Sequence, residues 1–140
     1  MAEETLFTLL DLLRKMCREN EDRIREGVDL NRAEYRGLLV LGKDRKITCH
    51  EFSQRMELSP SRGSRIIEKL HRKGYIKREE LEDNRRSKYI WLTENGILLQ
   101  NKINSHLEEC ESRITSNLSE SKLRELKGDI AKLAQSMTDT

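Results

Sequence analysis

No stretch of this chain approaches the roughly 18 apolar residues of a membrane-spanning helix. Met1 to Asn20 has neither the basic start nor the continuous apolar run of a secretory leader. The expectation is a cytoplasmic chain with no membrane partner. Cysteine is scarce: Cys17, Cys49 and Cys110 are odd in number and widely spaced, unlike the framework of a secreted disulfide scaffold, so reduced thiols are expected. Aromatic residues make up 4% of the chain against 37% charged residues, so few large apolar side chains are available for the core and a helix-rich fold is expected. There is no internal repeat, low-complexity tract or Pro/Gly-rich linker. At 140 residues the chain is one domain's worth of sequence.

The charge that is present is unevenly distributed. Leu58 to Lys88 holds ten Lys or Arg against five Asp or Glu, while the remainder of a chain of net charge +2 sums to −3. A basic segment inside an acidic chain is the footprint of contact with a polyanion.

Apolar residues recur at helical spacing from Glu3 to Glu26, through Leu6, Leu9, Leu10, Leu13, Met16 and Cys17. Gly27 ends that helix. Asn31 caps a second helix through Tyr35, Leu38, Leu39 and Leu41, and Ile47-Thr48 reads as a short strand. A short helix over Thr48 to Met56 and a longer one from Ser59 to Lys73 follow, with Ser59 as cap, Pro60 in the first helical position and Gly74 as the stop. Two helices joined by so tight a turn have helix-turn-helix spacing, although the turn lacks a glycine. Tyr75–Leu81 and Lys88–Leu92 form a β-hairpin with a charged tip, Glu82 to Ser87. Thr93 caps a fifth helix reaching Leu118, and Ser119 opens a sixth whose Leu123, Leu126, Ile130, Leu133 and Met137 form a seam that calls for a partner helix.

The fold expected is therefore mainly α with a small β-wing: a winged helix-turn-helix module over residues 31–96, flanked by dimerisation helices over 1–30 and 97–140. In such modules the second helix enters the major groove. Its N-terminal half here carries Ser59, Ser61, Arg62, Ser64 and Arg65, with arginine suited to bidentate contact with guanine. Gly63 lets the backbone come close. Lys69, Arg72 and Lys73 can neutralise phosphates, and Arg85, Arg86 and Lys88 give the hairpin the charge and reach for a narrow minor groove.

Taken in order, these pieces resemble the MarR-type winged-helix regulators from Glu3 to Met137. Leu58 to Leu70 is similar to that family's recognition helix, Gly74 to Arg78 to its exit into the wing, and Arg85-Arg86-Ser87 with Leu92 to Gly96 to its wing tip and fifth helix. The resemblance implies a homodimer on a pseudo-palindromic operator in double-stranded DNA, usually a repressor released by a small-molecule effector or an oxidant, with no cofactor and no enzymatic activity. The family has an apolar residue where Gly63 stands, which implies a looser recognition helix. It has Asp where Asn84 stands, leaving Asp83 to support Arg86.

Other readings use the same residues. The winged helix can serve as a protein-interaction module for an acidic partner. Cys17, Cys49 or Cys110 can act as thiol sensors, and the His106/Cys110 pair, four apart on one helix face, can supply metal ligands with Cys49, His50, Glu51 or Glu109. A catalytic Cys49-His50 pair is disfavoured, because adjacent helical residues point about 100° apart.

Overall fold

The computed structural model describes residues 4–79 and 89–139. Most helices start at a side-chain cap that satisfies an otherwise orphaned backbone N–H. Thr5 caps α1 (Leu6–Arg25) by accepting from the Thr8 N–H. α2 (Arg32–Val40) opens on a reciprocal capping box: the Asn31 side chain accepts from Glu34 N–H at 2.8 Å, and the Glu34 carboxylate accepts from Asn31 N–H at 3.0 Å. β1 (Ile47–Thr48) leads through the Thr48 cap into α3 (Cys49–Arg55). Ser59 and Pro60 start α4 (Pro60–Arg72) as the sequence indicates.

β2 (Ile76–Glu79) and β3 (Tyr89–Leu92) pair antiparallel, and β1 adds to the other edge of β3, so the strand order is β1-β3-β2. Period-two alternation buries Ile76, Ile90 and Leu92 and turns Lys77 and Tyr89 outward. Trp91 is covered by Lys46, whose Nζ sits 4.4 Å from the ring centroid. This mainly helical architecture with a small antiparallel sheet is a winged helix.

α5 (Glu94–Ile114) starts at Thr93, whose hydroxyl accepts from Gly96 N–H. It ends earlier than the expected Leu118. The Thr115 hydroxyl donates to Glu111 C=O and the Ser116 hydroxyl to Arg113 C=O. Short hydroxyl side chains thus take up last-turn carbonyls and close the helix. Ser119 then caps α6 (Glu120–Thr138).

The chain divides into two compact units, one up to Asn104 and one from Ser105. In the first, Leu38, Leu41, Phe52, Leu70, Ile76, Ile90 and Ile103 are fully buried, each removal from water contributing roughly 1.5–3 kcal/mol. Buried Gln100 donates to the carbonyls of Leu38 and Leu41, at 3.0 and 2.7 Å. It thereby satisfies the end of α2 from α5. α1 buries none of its residues, and its Leu6, Phe7, Leu9, Leu12, Leu13 and Met16 are exposed. In the second unit α6 likewise buries nothing, with Leu126, Ile130 and Met137 exposed. Among the described residues no helix is long and apolar enough to cross a membrane.

Candidate nucleic-acid interface

α3 and α4 are each closed by the same backbone device. At the end of α4, Tyr75 N–H bonds Leu70 C=O and Gly74 N–H bonds His71 C=O, with Gly74 at φ +83. At the end of α3, Leu58 N–H bonds Ser53 C=O and Glu57 N–H bonds Gln54 C=O. Both are Schellman turns, which need a left-handed residue. The second places Glu57 there, at φ 56. The glycine missing from the turn is therefore replaced by a strained glutamate, and the helix-turn-helix geometry forms without it.

α4 has one dry and one wet face. Gly63, Ile66, Ile67 and Leu70 are buried, whereas Ser59, Ser61, Arg62, Ser64, Arg65, Lys69 and Arg72 are all exposed. The Ser59 hydroxyl is already engaged, accepting from Arg62 N–H at 3.3 Å. Gly63 corrects the sequence-based expectation. It is on the inner face, where a Cβ would overlap Ser53 Oγ and lie 3.0 Å from Ser53 Cβ. The missing side chain allows α3 and α4 to pack in close contact. The Gly63 backbone is turned towards α3, on the side opposite the exposed arginines.

Lys73 also differs from expectation. Its ammonium bonds the buried carboxylate of Glu34 at 2.8 Å and the carbonyl of Asp29, fixing the end of α4 to the start of α2. Burial pushes Glu34 up, but the Lys73 hydrogen bond, the Asn31 N–H and the charges of Lys73 and Lys69 outweigh it and hold the carboxyl below its ordinary value. Beside this pair the Tyr75 hydroxyl donates to Asp29 at 2.7 Å. That bond, with burial and the Asp29 charge, pushes the phenol up to about 12.

Glu68 and Arg78 were missed by sequence reasoning. Glu68 accepts from Arg72 Nε at 3.2 Å on one oxygen and from Arg78 Nη1 at 2.6 Å on the other. The i,i+4 spacing of Glu68 and Arg72 was a readable signal. Strand alternation from buried Ile76 also puts Arg78 on the α4 side of the sheet. Arg85, Arg86 and Lys88, together with Asp83 and Asn84, lie outside the described residues.

The thiols are dispersed. Cys17 is exposed on α1, Cys49 is half-buried against the core, and half-buried Cys110 accepts from Arg113 at 3.4 Å. His106 has Glu109 at 3.9 Å. Among the described residues no group of three or more His, Cys, Asp or Glu side chains is placed to hold a metal ion.

Residues 28–87, which contain the helix-turn-helix and the start of the wing, match the model of the MarR family. That stretch, somewhat under half of the chain, is similar to the MarR family. The HTH-type transcriptional regulator PapX of Escherichia coli is 26% identical over 119 residues, covering 81% of this chain and 73% of PapX. Among solved structures, MepR, a transcription regulator of the Staphylococcus aureus multidrug efflux pump MepA, has a TM-score of 0.76 at 23% identity, covering 96% of this chain and 99% of MepR. Streptococcus pneumoniae FabT in complex with DNA has a TM-score of 0.77 at 22% identity, covering 94% and 93%. At these identities the two structures show a shared fold. Exposed Arg62 and Arg65 stand on α4, inside the stretch that matches the MarR family model.

Proposed function

We propose that this chain is a MarR-type, sequence-specific regulator that binds double-stranded DNA as a homodimer. The observation that carries the reading is the two-faced α4: a buried apolar stripe sets it on α3, and Ser61, Arg62, Ser64 and Arg65 stand exposed along its first two turns. Arg62 and Arg65 are the base readers in this reading, worth about 1–3 kcal/mol each against a wrong base. Lys69 and Arg72 meet phosphates, joined by Arg85, Arg86 and Lys88 through their charge. The apolar stripes left exposed on α1 and α6 support a second copy as the partner, since monomers rarely expose contiguous patches of that extent. A dimer reads a pseudo-palindrome with half-sites about 10–10.5 bp apart. The regulatory output is repression relieved by an effector, a reading carried over from the family.

Selection of bound duplexes from a random DNA pool tests the proposal. The expected product is a two-fold symmetric site whose affinity falls steeply with salt. Arg65→Ala should relax one position in each half-site at a cost of about 1–3 kcal/mol. Binding indifferent to both salt and sequence would point instead to a protein-interaction module.

A further inference from the structure

Along the outward side of α4, exposed Ser61, Arg65 and Arg72 and half-buried Glu68 are spaced four, three and four apart in the order Ser61, Arg65, Glu68, Arg72, so a carboxylate stands within the basic face. Glu68 does not pair with one cation only. Its two oxygens are divided between Arg72, one turn further along the helix, and Arg78, which reaches across from β2. The Arg72 side chain is exposed, whereas that of Arg78 is 28% exposed. Two arginines at the junction of helix and wing thus share a single anion and present a net charge of one.

We propose that Glu68 is a specificity-determining residue that withholds Arg72 and Arg78 from the phosphates of non-operator DNA. This inference rests on the DNA-binding reading above. Non-specific complexes are held by phosphate charge alone. Such a complex must either break the Glu68 pairs and leave a carboxylate facing the backbone, or forgo two contacts. The operator complex has its depth and register set by base contacts from Arg62 and Arg65, ahead of Glu68 on the helix, and depends on those two phosphates less. Specificity is a difference of affinities, and an element that weakens the wrong complex raises it. Glu68 acts by positioning the two arginines and repelling phosphate, without a base contact of its own.

The test compares Glu68→Gln with the wild type on the selected operator and on a random duplex of equal length, across a salt series, with thermal unfolding of both proteins. Glu51→Gln, which removes an exposed carboxylate from α3, controls for net charge. The expected result for Glu68→Gln is a several-fold rise in random-duplex affinity, with the salt slope on that duplex steeper by about one to two, since each new phosphate contact adds roughly 0.9. Operator affinity should change by less than half as much on a logarithmic scale, so the specificity ratio falls, whereas Glu51→Gln should move both affinities together. A parallel rise on both duplexes for Glu68→Gln would overturn the proposal, leaving only bulk charge. A parallel fall with a lowered Tm would overturn it in favour of a structural brace. If the wild type itself shows neither operator preference nor salt dependence, the DNA-binding reading and the inference both fall.

Discussion

Gly63 of α4 faces Ser53 of α3 across a gap that admits no side chain: a Cβ at 63 would overlap Ser53 Oγ and lie 3.0 Å from Ser53 Cβ. The helix that carries Arg62 and Arg65 is therefore seated by backbone proximity. Gly63→Ala must push α4 outward or force the Ser53 hydroxyl into another rotamer. Overpacking of this kind costs about 1–3 kcal/mol. The expected outcome is a lower urea midpoint and weaker operator binding. The exchanged pair Ser53→Gly with Gly63→Ala removes the overlap and should recover most of both losses. Additive losses in the double variant would show that the two positions are not coupled.

Glu57 supplies the left-handed residue of the α3–α4 turn at φ 56, a conformation that costs a non-glycine residue about 1–2 kcal/mol. Glu57→Gly should raise stability by about 1 kcal/mol, because relief of strain exceeds the extra entropy glycine loses on folding. Chemical denaturation with an unchanged m-value would register this as a shifted midpoint. Glu57→Val should move the midpoint the opposite way.

That turn also shows what can be read from residues alone. Helix starts were legible at Asn31, Ser59 and Ser119, short polar side chains ahead of periodic apolar runs that each accept from the backbone as a cap, whereas the caps Thr5 and Thr48 were passed over, with the first helix begun at Glu3 and Thr48 counted inside the third. The dry face of α4 was legible from the spacing of Ile66, Ile67 and Leu70. Contacts between positions far apart in the chain were not. Ser53 against Gly63, Glu34 against Lys73 and Glu68 against Arg78 depend on how elements pack, and no local pattern encodes that packing. Hence Gly63 looked like a loose point on the DNA side, and Lys73 like a phosphate ligand.

The Glu34–Lys73 pair predicts a pH dependence. The folded-state value of Glu34 is lowered below the ordinary 4.5, so the pair's contribution is fully present above that value and is lost as pH falls through the lower folded value. In Lys73→Met the burial of Glu34 goes unopposed by its partner and its carboxyl is pushed upward. The variant should be less stable by about 2 kcal/mol near pH 7, less than for a fully buried pair because Lys73 is partly solvated. The gap should narrow at acidic pH, once pH has fallen below the lowered folded value of Glu34 and the carboxyl is protonated in both proteins. Urea denaturation at the two pH values checks the sign, and a constant gap would remove Glu34 from the account.

The exposed face of α6 tests the proposed homodimer. Leu126, Ile130 and Met137 fall on one helical stripe with half-buried Leu123 and Leu133, and Ile130 is 53% exposed. Covering a large aliphatic side chain is worth roughly 1.5–3 kcal/mol, and a homodimer places the same stripe on both subunits, so one substitution acts twice. Ile130→Glu adds two buried carboxylates where two apolar contacts stood. The expected outcome is a monomer, or a dimer weakened by several orders of magnitude, in sedimentation equilibrium. Affinity for a single half-site should be nearly unchanged, because α3, α4 and the core beneath them are built entirely from residues before Ser105. Affinity for the full symmetric site should fall towards the half-site value, since the second recognition helix is then no longer held at the spacing of the first. If Ile130→Glu sediments as the wild type does, α6 is not the dimer seam, and the stripe on α1 becomes the next face to change.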